Sequence, residues 1–162
     1  LMTESQSRVR SMALIHELFY QSGNFSTIDL RDYIQTLYSN LENMYVDVSM
    51  HVQTEITIDE ISLPLDTAIP CGLALNELIT NALKYAFRER RTGSLSILGR
   101  NEGGMVRMTV KDDGPGIPEG VTLDNPNTLG LRLVTNIAIQ LGGEASYRFA
   151  GGAEFGLSFP LP

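Results

Sequence analysis

Two segments carry residues whose types and spacing could do chemistry: NELITNALKYAF, starting at Asn76, and KDDGPGIP, starting at Lys111. The first reads as a helix, in which successive side chains advance by about 100°. Glu77, Asn81, Lys84 and Arg88 then share one face, and Leu75, Leu78, Ile79, Ala82, Leu83 and Ala86 cover the other. Such a polar stripe can be a solvated face or a working one. Asn76, Thr80 and Asn81 are mediocre helix formers, and a plain surface would more usually carry Glu, Lys or Gln. A carboxylate and a carboxamide on one face, beside a glycine-rich turn, together suggest a nucleotide site.

The second segment follows MVRMTVK, where Val106, Met108 and Val110 alternate with Arg107, Thr109 and Lys111 as in a half-buried strand. Asp112 and Asp113 fall where that strand ends. Gly114 and Gly116 permit backbone angles and close approaches that a side chain would forbid, and alone this could be a simple turn. A third segment, NTLGLRLVTNIAIQLGG, offers Thr128 as an N-cap for a helix burying Leu133, Val134, Ile137, Ala138 and Leu141, stopped by Gly142 and Gly143. With Gly130 in its first turn, that helix presents free backbone N–H groups suited to phosphate oxygens. Gly130 could also serve only close packing.

In this order, the asparagine-bearing helix, the Asp-x-Gly-x-Gly turn, the lid and the second glycine motif resemble the ATP-binding domain of sensor histidine kinases. These belong to the wider family of gyrase, Hsp90 and MutL ATPase domains. The upstream stretch ESQSRVRSMALIHELFYQSG resembles the second dimerisation helix of the branch whose phosphoacceptor region differs from the commonest type. The resemblance implies an α/β (α+β) two-layer sandwich of the Bergerat ATP-binding type, with a mixed sheet covered by helices on one face and an N-terminal helical segment. It divides the chain into residues 1–44, a remnant of the dimerisation hairpin with its connecting helix, and residues 45–162, the catalytic domain. The cofactors implied are ATP and Mg2+.

Carried over residue by residue, the resemblance makes Asn81 the Mg2+ ligand and places Glu77 beside the γ-phosphate as the second catalytic position. A hard cation takes oxygen ligands and keeps several waters, so one carboxamide oxygen plus phosphates can suffice. Lys84 and Tyr85 match the basic and aromatic pair near the phosphates and nucleoside. Asp112 matches the acceptor for the adenine amino group, where guanine would present a carbonyl and leave two acceptors facing each other. Gly114, Gly116 and Ile117 of the turn, and Thr128, Leu129, Gly130 and Leu131 of the second motif, complete the implied nucleotide contacts. The chain also departs from the pattern. Its lid between Gly116 and Thr128 is only about a dozen residues without a phenylalanine, and Gly130 stands alone where many relatives have two glycines.

The implied activity is transfer of the ATP γ-phosphoryl group to a histidine upstream of Leu1, then to an aspartate of a response regulator, in a protein that is a homodimer at full length. Beginning at Leu1, the chain reads as a piece of a longer protein. His16 precedes Glu17, but LFYQSG lacks the Arg and Pro of the commonest acceptor motif, and His16 reads as a packing or interface residue. His51 reads as a solvent-facing strand residue. Neither has a second ligand at zinc-like spacing. A serine kinase or ATPase with the same pocket, or a non-catalytic module using its N-terminal helices for partner contact, remain the alternatives.

The positioning elements follow from periodicity. Residues 5–21 form an amphipathic helical pattern broken at Gly23, and Ser26 to Asp29 resembles a helix-entry box before Leu30, Tyr33, Ile34, Leu37 and Leu41. Strand patterns fall near 45–52, 94–100, 105–111, 144–149 and 154–159, with hairpin turns at Asn101 to Gly104 and Ala150 to Ala153. Cys71, the single cysteine, excludes an internal disulfide and reads as a small packed side chain near the start of the asparagine helix. The 162 residues, 43% hydrophobic, suffice for one good core. A net charge of −7 argues against a nucleic-acid partner. No run reaches the roughly twenty apolar residues of a bilayer span, so this part of the chain is expected to be cytoplasmic without membrane contact, although missing upstream sequence could tether it. The cluster of Arg88, Arg90 and Arg91 could serve a helix end or face a phosphate, with the helix end favoured.

Overall fold

In the computed structural model, residues 2–23, 26–126 and 128–162 are described. Leu1, at the start of the helical segment, and Asn127, the first residue of the third motif, lie outside them. The chain runs α1 (Met2–Gln21), β1 (Thr27–Asp29), α2 (Leu30–Tyr45), β2 (His51–Ile58), β3 (Ser62–Pro64), α3 (Leu65–Asn81), a π-helical turn (Ala82–Ala86), β4 (Thr92–Glu102), β5 (Met105–Asp112), α4 (Leu129–Gln140), β6 (Glu144–Phe149) and β7 (Ala153–Pro160). The five-stranded sheet has the order β2-β4-β5-β7-β6. Among the described strands of this sheet only β2 and β4 pair in parallel, because α3 crosses between them, whereas tight turns join β4 to β5 and β6 to β7. β1 and β3 form a separate antiparallel pair.

Local patterns explain most elements. Asp29 caps α2, its side chain accepting from the Asp32 N–H at 3.1 Å, and Leu30, Tyr33, Ile34, Leu37, Tyr38 and Leu41 form its buried stripe. The entry signal is therefore Asp29 rather than Ser26, with β1 immediately before it. β5 alternates buried Val106, Met108, Val110 and Asp112 with more open neighbours. Glycines 103 and 104 at positive φ turn the β4–β5 hairpin, and Gly151 at positive φ helps turn β6 into β7. Thr128 caps α4, accepting from the Leu131 N–H at 3.3 Å. Val134, Ile137 and Ala138 are buried there, while Leu133 and Leu141 are half-buried.

Several expectations are corrected. The strand expected at 45–52 is the end of α2, a turn, and only the start of β2. Val46, Val48, Met50 and Val52 mimic alternation, but the Asp47 carboxylate accepts from the Ser49 N–H at 2.7 Å and bends the chain, leaving Val48 fully exposed. The asparagine helix begins at Leu65, so Cys71 lies well inside it and is fully buried. His16 is exposed on α1, so of the two expected roles it does not pack within this chain, whereas His51 is exposed at the first position of β2 as expected. Two of the arginines at the end of that helix bond to carboxylates rather than to its terminal carbonyls. Arg90 pairs with Asp113 at 2.8 Å and Arg91 with Asp47 at 3.0 Å, while Arg88 is exposed.

The helices and one face of the sheet share a single core. Ile15 of α1, Tyr33 and Ile34 of α2, Leu75 and Ile79 of α3, Ile97 of β4, Leu157 and Phe159 of β7 are all fully buried. Gly72 makes one contact possible, since a Cβ there would collide with the Tyr33 hydroxyl, which bonds to Ser11 Oγ of α1 at 2.7 Å. Among the described residues, no helix is long and apolar enough to cross a membrane.

Candidate functional site

α3 is too buried to be a plain surface helix, because Asn76, Glu77 and Thr80 are as buried as their apolar neighbours. The polar stripe faces protein. Ser7 Oγ donates to Asn76 Oδ1 at 2.9 Å, and Arg8 clasps Glu77 with two bonds, Nε to Oε1 at 2.6 Å and Nη2 to Oε2 at 3.0 Å. One turn earlier on α1, Glu4 accepts from Lys84 Nζ at 2.7 Å. Residues 4, 7 and 8 of one helix thus meet residues 84, 76 and 77 of the asparagine segment. These contacts hold the Glu4 carboxyl below its ordinary range through the Lys84 hydrogen bond, and raise the Arg8 guanidinium through its bond to Glu77. At Lys84, burial opposes the charge, but Glu4 and Tyr85 outweigh it and the pKa is raised.

At Asn81 the α-helix widens into the π-helical turn, a rare geometry often found at functional sites. The wide turn breaks the phase that would have kept Lys84 and Arg88 in line with Glu77. It directs Ala82, Tyr85 and Ala86 to a cavity of about 340 Å3, within the range of small-molecule sites. Asn81 and Asp112 line the same cavity, with Pro115, Gly116, Ile117 and Pro118 of the turn, Thr128 and Leu131 of α4, and Ala153 and Phe155 of β7.

Asp112 is fixed by its surroundings. Its Oδ1 accepts from the Gly114 N–H at 2.8 Å and the Ala153 N–H at 3.4 Å. Burial pushes its pKa up, and those two N–H groups oppose the rise. Gly114 lies on Ala86, where a Cβ would approach to 2.6 Å. Gly116 adopts φ 78°, and the Ile117 N–H donates to the Tyr147 hydroxyl at 3.1 Å. The turn is therefore pinned between the π-helical turn and β6.

The sequence-expected residues divide accordingly. Asn81, Tyr85, Asp112, Gly116, Ile117, Thr128 and Leu131 line the cavity. Gly114 shapes its wall from behind. Glu77, Lys84 and Gly130 stand beside it without lining it, Lys84 lying 5.3 Å from the centre of the Tyr85 ring. Gly130 fits against Glu77, where a Cβ would come within 2.5 Å of Oε2. Leu129 is 66% exposed and points elsewhere. Ala82, Ala86, Pro115, Pro118, Ala153 and Phe155 are lining residues that motif reasoning passed over. Only their alternation or nearness to Asp112 could have flagged them.

The chemistry available is a buried carboxylate acceptor, a carboxamide, an exposed-edge aromatic ring, the first turn of a helix and mostly apolar walls. Among the described residues, no cluster of three or more His, Cys, Asp or Glu side chains could hold a metal unaided. An ion here would need oxygens from a ligand, and Asn81 supplies one protein oxygen for that arrangement. The donor set fits a nucleotide phosphate–metal pair.

Known proteins resemble this chain in sequence and in fold. A model of the histidine kinase-, DNA gyrase B-, and HSP90-like ATPase family matches residues 67–162, and a model described as histidine kinase matches residues 1–45. Blue-light-activated histidine kinase 2 of Erythrobacter litoralis is 33% identical over 119 residues, covering 72% of this chain and 34% of that protein. Sensor histidine kinase PdtaS of Mycobacterium tuberculosis is 29% identical over 149 residues, covering 91% of this chain and 29% of that protein. The chain thus spans about a third of the length of these relatives. The solved histidine kinase domain from Erythrobacter litoralis EL346 superposes with a TM-score of 0.88 at 28% identity, covering 98% of this chain and 80% of that one.

Proposed function

This chain belongs to the histidine kinase-, DNA gyrase B-, and HSP90-like ATPase family, and we propose that it is the ATP-binding catalytic part of a two-component sensor histidine kinase. The observation that carries this reading is the convergence of Asn81 and Asp112, from separate segments, on one cavity. Asp112 accepts the adenine amino group, and its buried setting penalises any base that presents a carbonyl there. Ala82, Ala86, Ile117, Leu131 and Phe155 enclose the base, and the Tyr85 ring packs at the exposed edge.

The phosphates then lie toward Asn81 and the first turn of α4, where backbone N–H groups and the capped Thr128–Leu131 stretch favour negative charge. Asn81 would hold Mg2+, which would offset phosphate charge and align the γ-phosphoryl group. Lys84 supplies a further compact cation. Glu77 orients the accepting imidazole when Arg8 releases or shares its carboxylate. The phosphoryl group passes to a histidine nitrogen outside this chain and then to an aspartate of a response regulator, in a homodimeric full-length protein. Positioning and charge stabilisation supply most of the rate. Residues 1–44 belong to the dimerisation region in this scheme, and residues 45–162 to the catalytic domain.

Calorimetric titration of Mg2+–ATP tests the pocket. Asp112→Ala is expected to weaken binding at least tenfold, the order of a lost charge-assisted hydrogen bond. Asn81→Ala is expected to keep nucleotide binding while removing its dependence on Mg2+. Absence of binding at millimolar ATP would overturn the nucleotide reading.

A further inference from the structure

The ion pair between Glu4 and Lys84 joins α1 to the asparagine segment at 2.7 Å, with side chains 37% and 27% exposed. Lys84 directly precedes Tyr85, which lines the cavity, and its ammonium lies 5.3 Å from that ring's centre. Its charge is thus held by a carboxylate and lies beside a ring that lines the candidate nucleotide space. A lysine ammonium is a compact charge on a flexible stem that can pivot between two anionic partners. One ammonium cannot satisfy both fully.

We propose that Glu4 of α1 competes with the phosphates of a bound nucleotide for Lys84, so that this α1 contact and binding of a nucleoside polyphosphate oppose each other. The inference rests on the nucleotide reading of the cavity. By linkage, the factor by which the Glu4 contact weakens polyphosphate binding is the factor by which bound polyphosphate weakens that contact. The opposition is selective for charge, because a nucleoside without phosphates makes no claim on Lys84. It also leaves the remainder of α1 in place: Arg8 still clasps Glu77, Ser7 still bonds Asn76, and Leu14 and Ile15 stay buried.

The test is calorimetric titration of ADP and adenosine into the wild-type chain, Glu4→Gln, Lys84→Gln and the double variant, with thermal melts showing that each is folded. Glu4→Gln is expected to tighten ADP by about threefold, the scale of a partly exposed ion pair, and to leave adenosine unchanged. In the Lys84→Gln background the same change is expected to have no effect. Unchanged ADP affinity in Glu4→Gln, equal tightening of adenosine, or tightening that survives without Lys84 would overturn the competition while leaving the nucleotide site intact. Failure of every variant to bind either ligand would overturn the nucleotide reading and this inference with it.

Discussion

Burial makes the charge of Asp112 costly. Its pKa is raised from 3.8 by desolvation, against the pull of the Gly114 and Ala153 N–H groups. A carboxyl whose folded pKa lies above its unfolded value is easier to deprotonate in the unfolded chain. Its unfavourable contribution is therefore absent in acid and sets in as pH rises through the folded pKa. Asp112→Asn lacks that titration, so its stability relative to wild type is expected to improve between about pH 4 and about pH 7. Urea denaturation at both pH values measures the difference, and a constant gap would contradict the assigned environment. Asp112 itself was legible in the sequence because it stands at a strand end before two glycines. The two N–H groups that fix it were only half legible, since Ala153 comes from a strand 41 residues later.

At the scale of elements, the meeting of α1, α3 and α4 turns on Glu77 and Gly130. The Glu77 carboxylate is clasped by Arg8 from one side, and a Cβ at Gly130 would sit 2.5 Å from its Oε2 on the other. A carboxylate held by two bonds cannot swing aside cheaply. Gly130→Ala is expected to destabilise the fold by about 1–2 kcal/mol through this overpacking. In a Glu77→Ala background, which removes the obstructing atoms, the same substitution is expected to cost nearly nothing. A double-mutant cycle by urea denaturation reads the coupling, and equal costs in both backgrounds would place the strain elsewhere. The lone glycine is thus explained by packing against the Glu77 carboxylate, a role separate from phosphate approach.

For the whole molecule, a single core joins the N-terminal helices to the sheet, and Cys71 reports on it. Its thiol is fully buried in α3, and burial pushes its pKa up to about 12. Without local opening of α3 there is neither access nor thiolate. Alkylation of the native chain near pH 8 is expected to be slow, and its rate in increasing urea to follow global unfolding. Fast labelling without denaturant would show that α3 opens independently of the rest, which the continuous packing of α1, α2 and α3 does not predict.

The sequence by itself determined what depends on neighbours along the chain. The cap at Thr128, the β5 alternation, the glycine turns at 103–104 and 142, and the candidates Asn81 and Asp112 are all written in short windows, where period and side-chain chemistry fix local geometry. Short-range pattern also misled: the valines around Asp47 alternate like a strand, yet one side-chain bond to Ser49 makes a turn. Only the tertiary structure decided which polar groups would meet. Arg8 and Glu77 are 69 residues apart, and Glu4 and Lys84 are 80 apart. No local preference pairs them, because their contact follows from how α1 packs against α3. The same packing buries the polar stripe of α3, and the π-helical turn after Asn81 then separates the residues that line the cavity from those that α1 holds beside it.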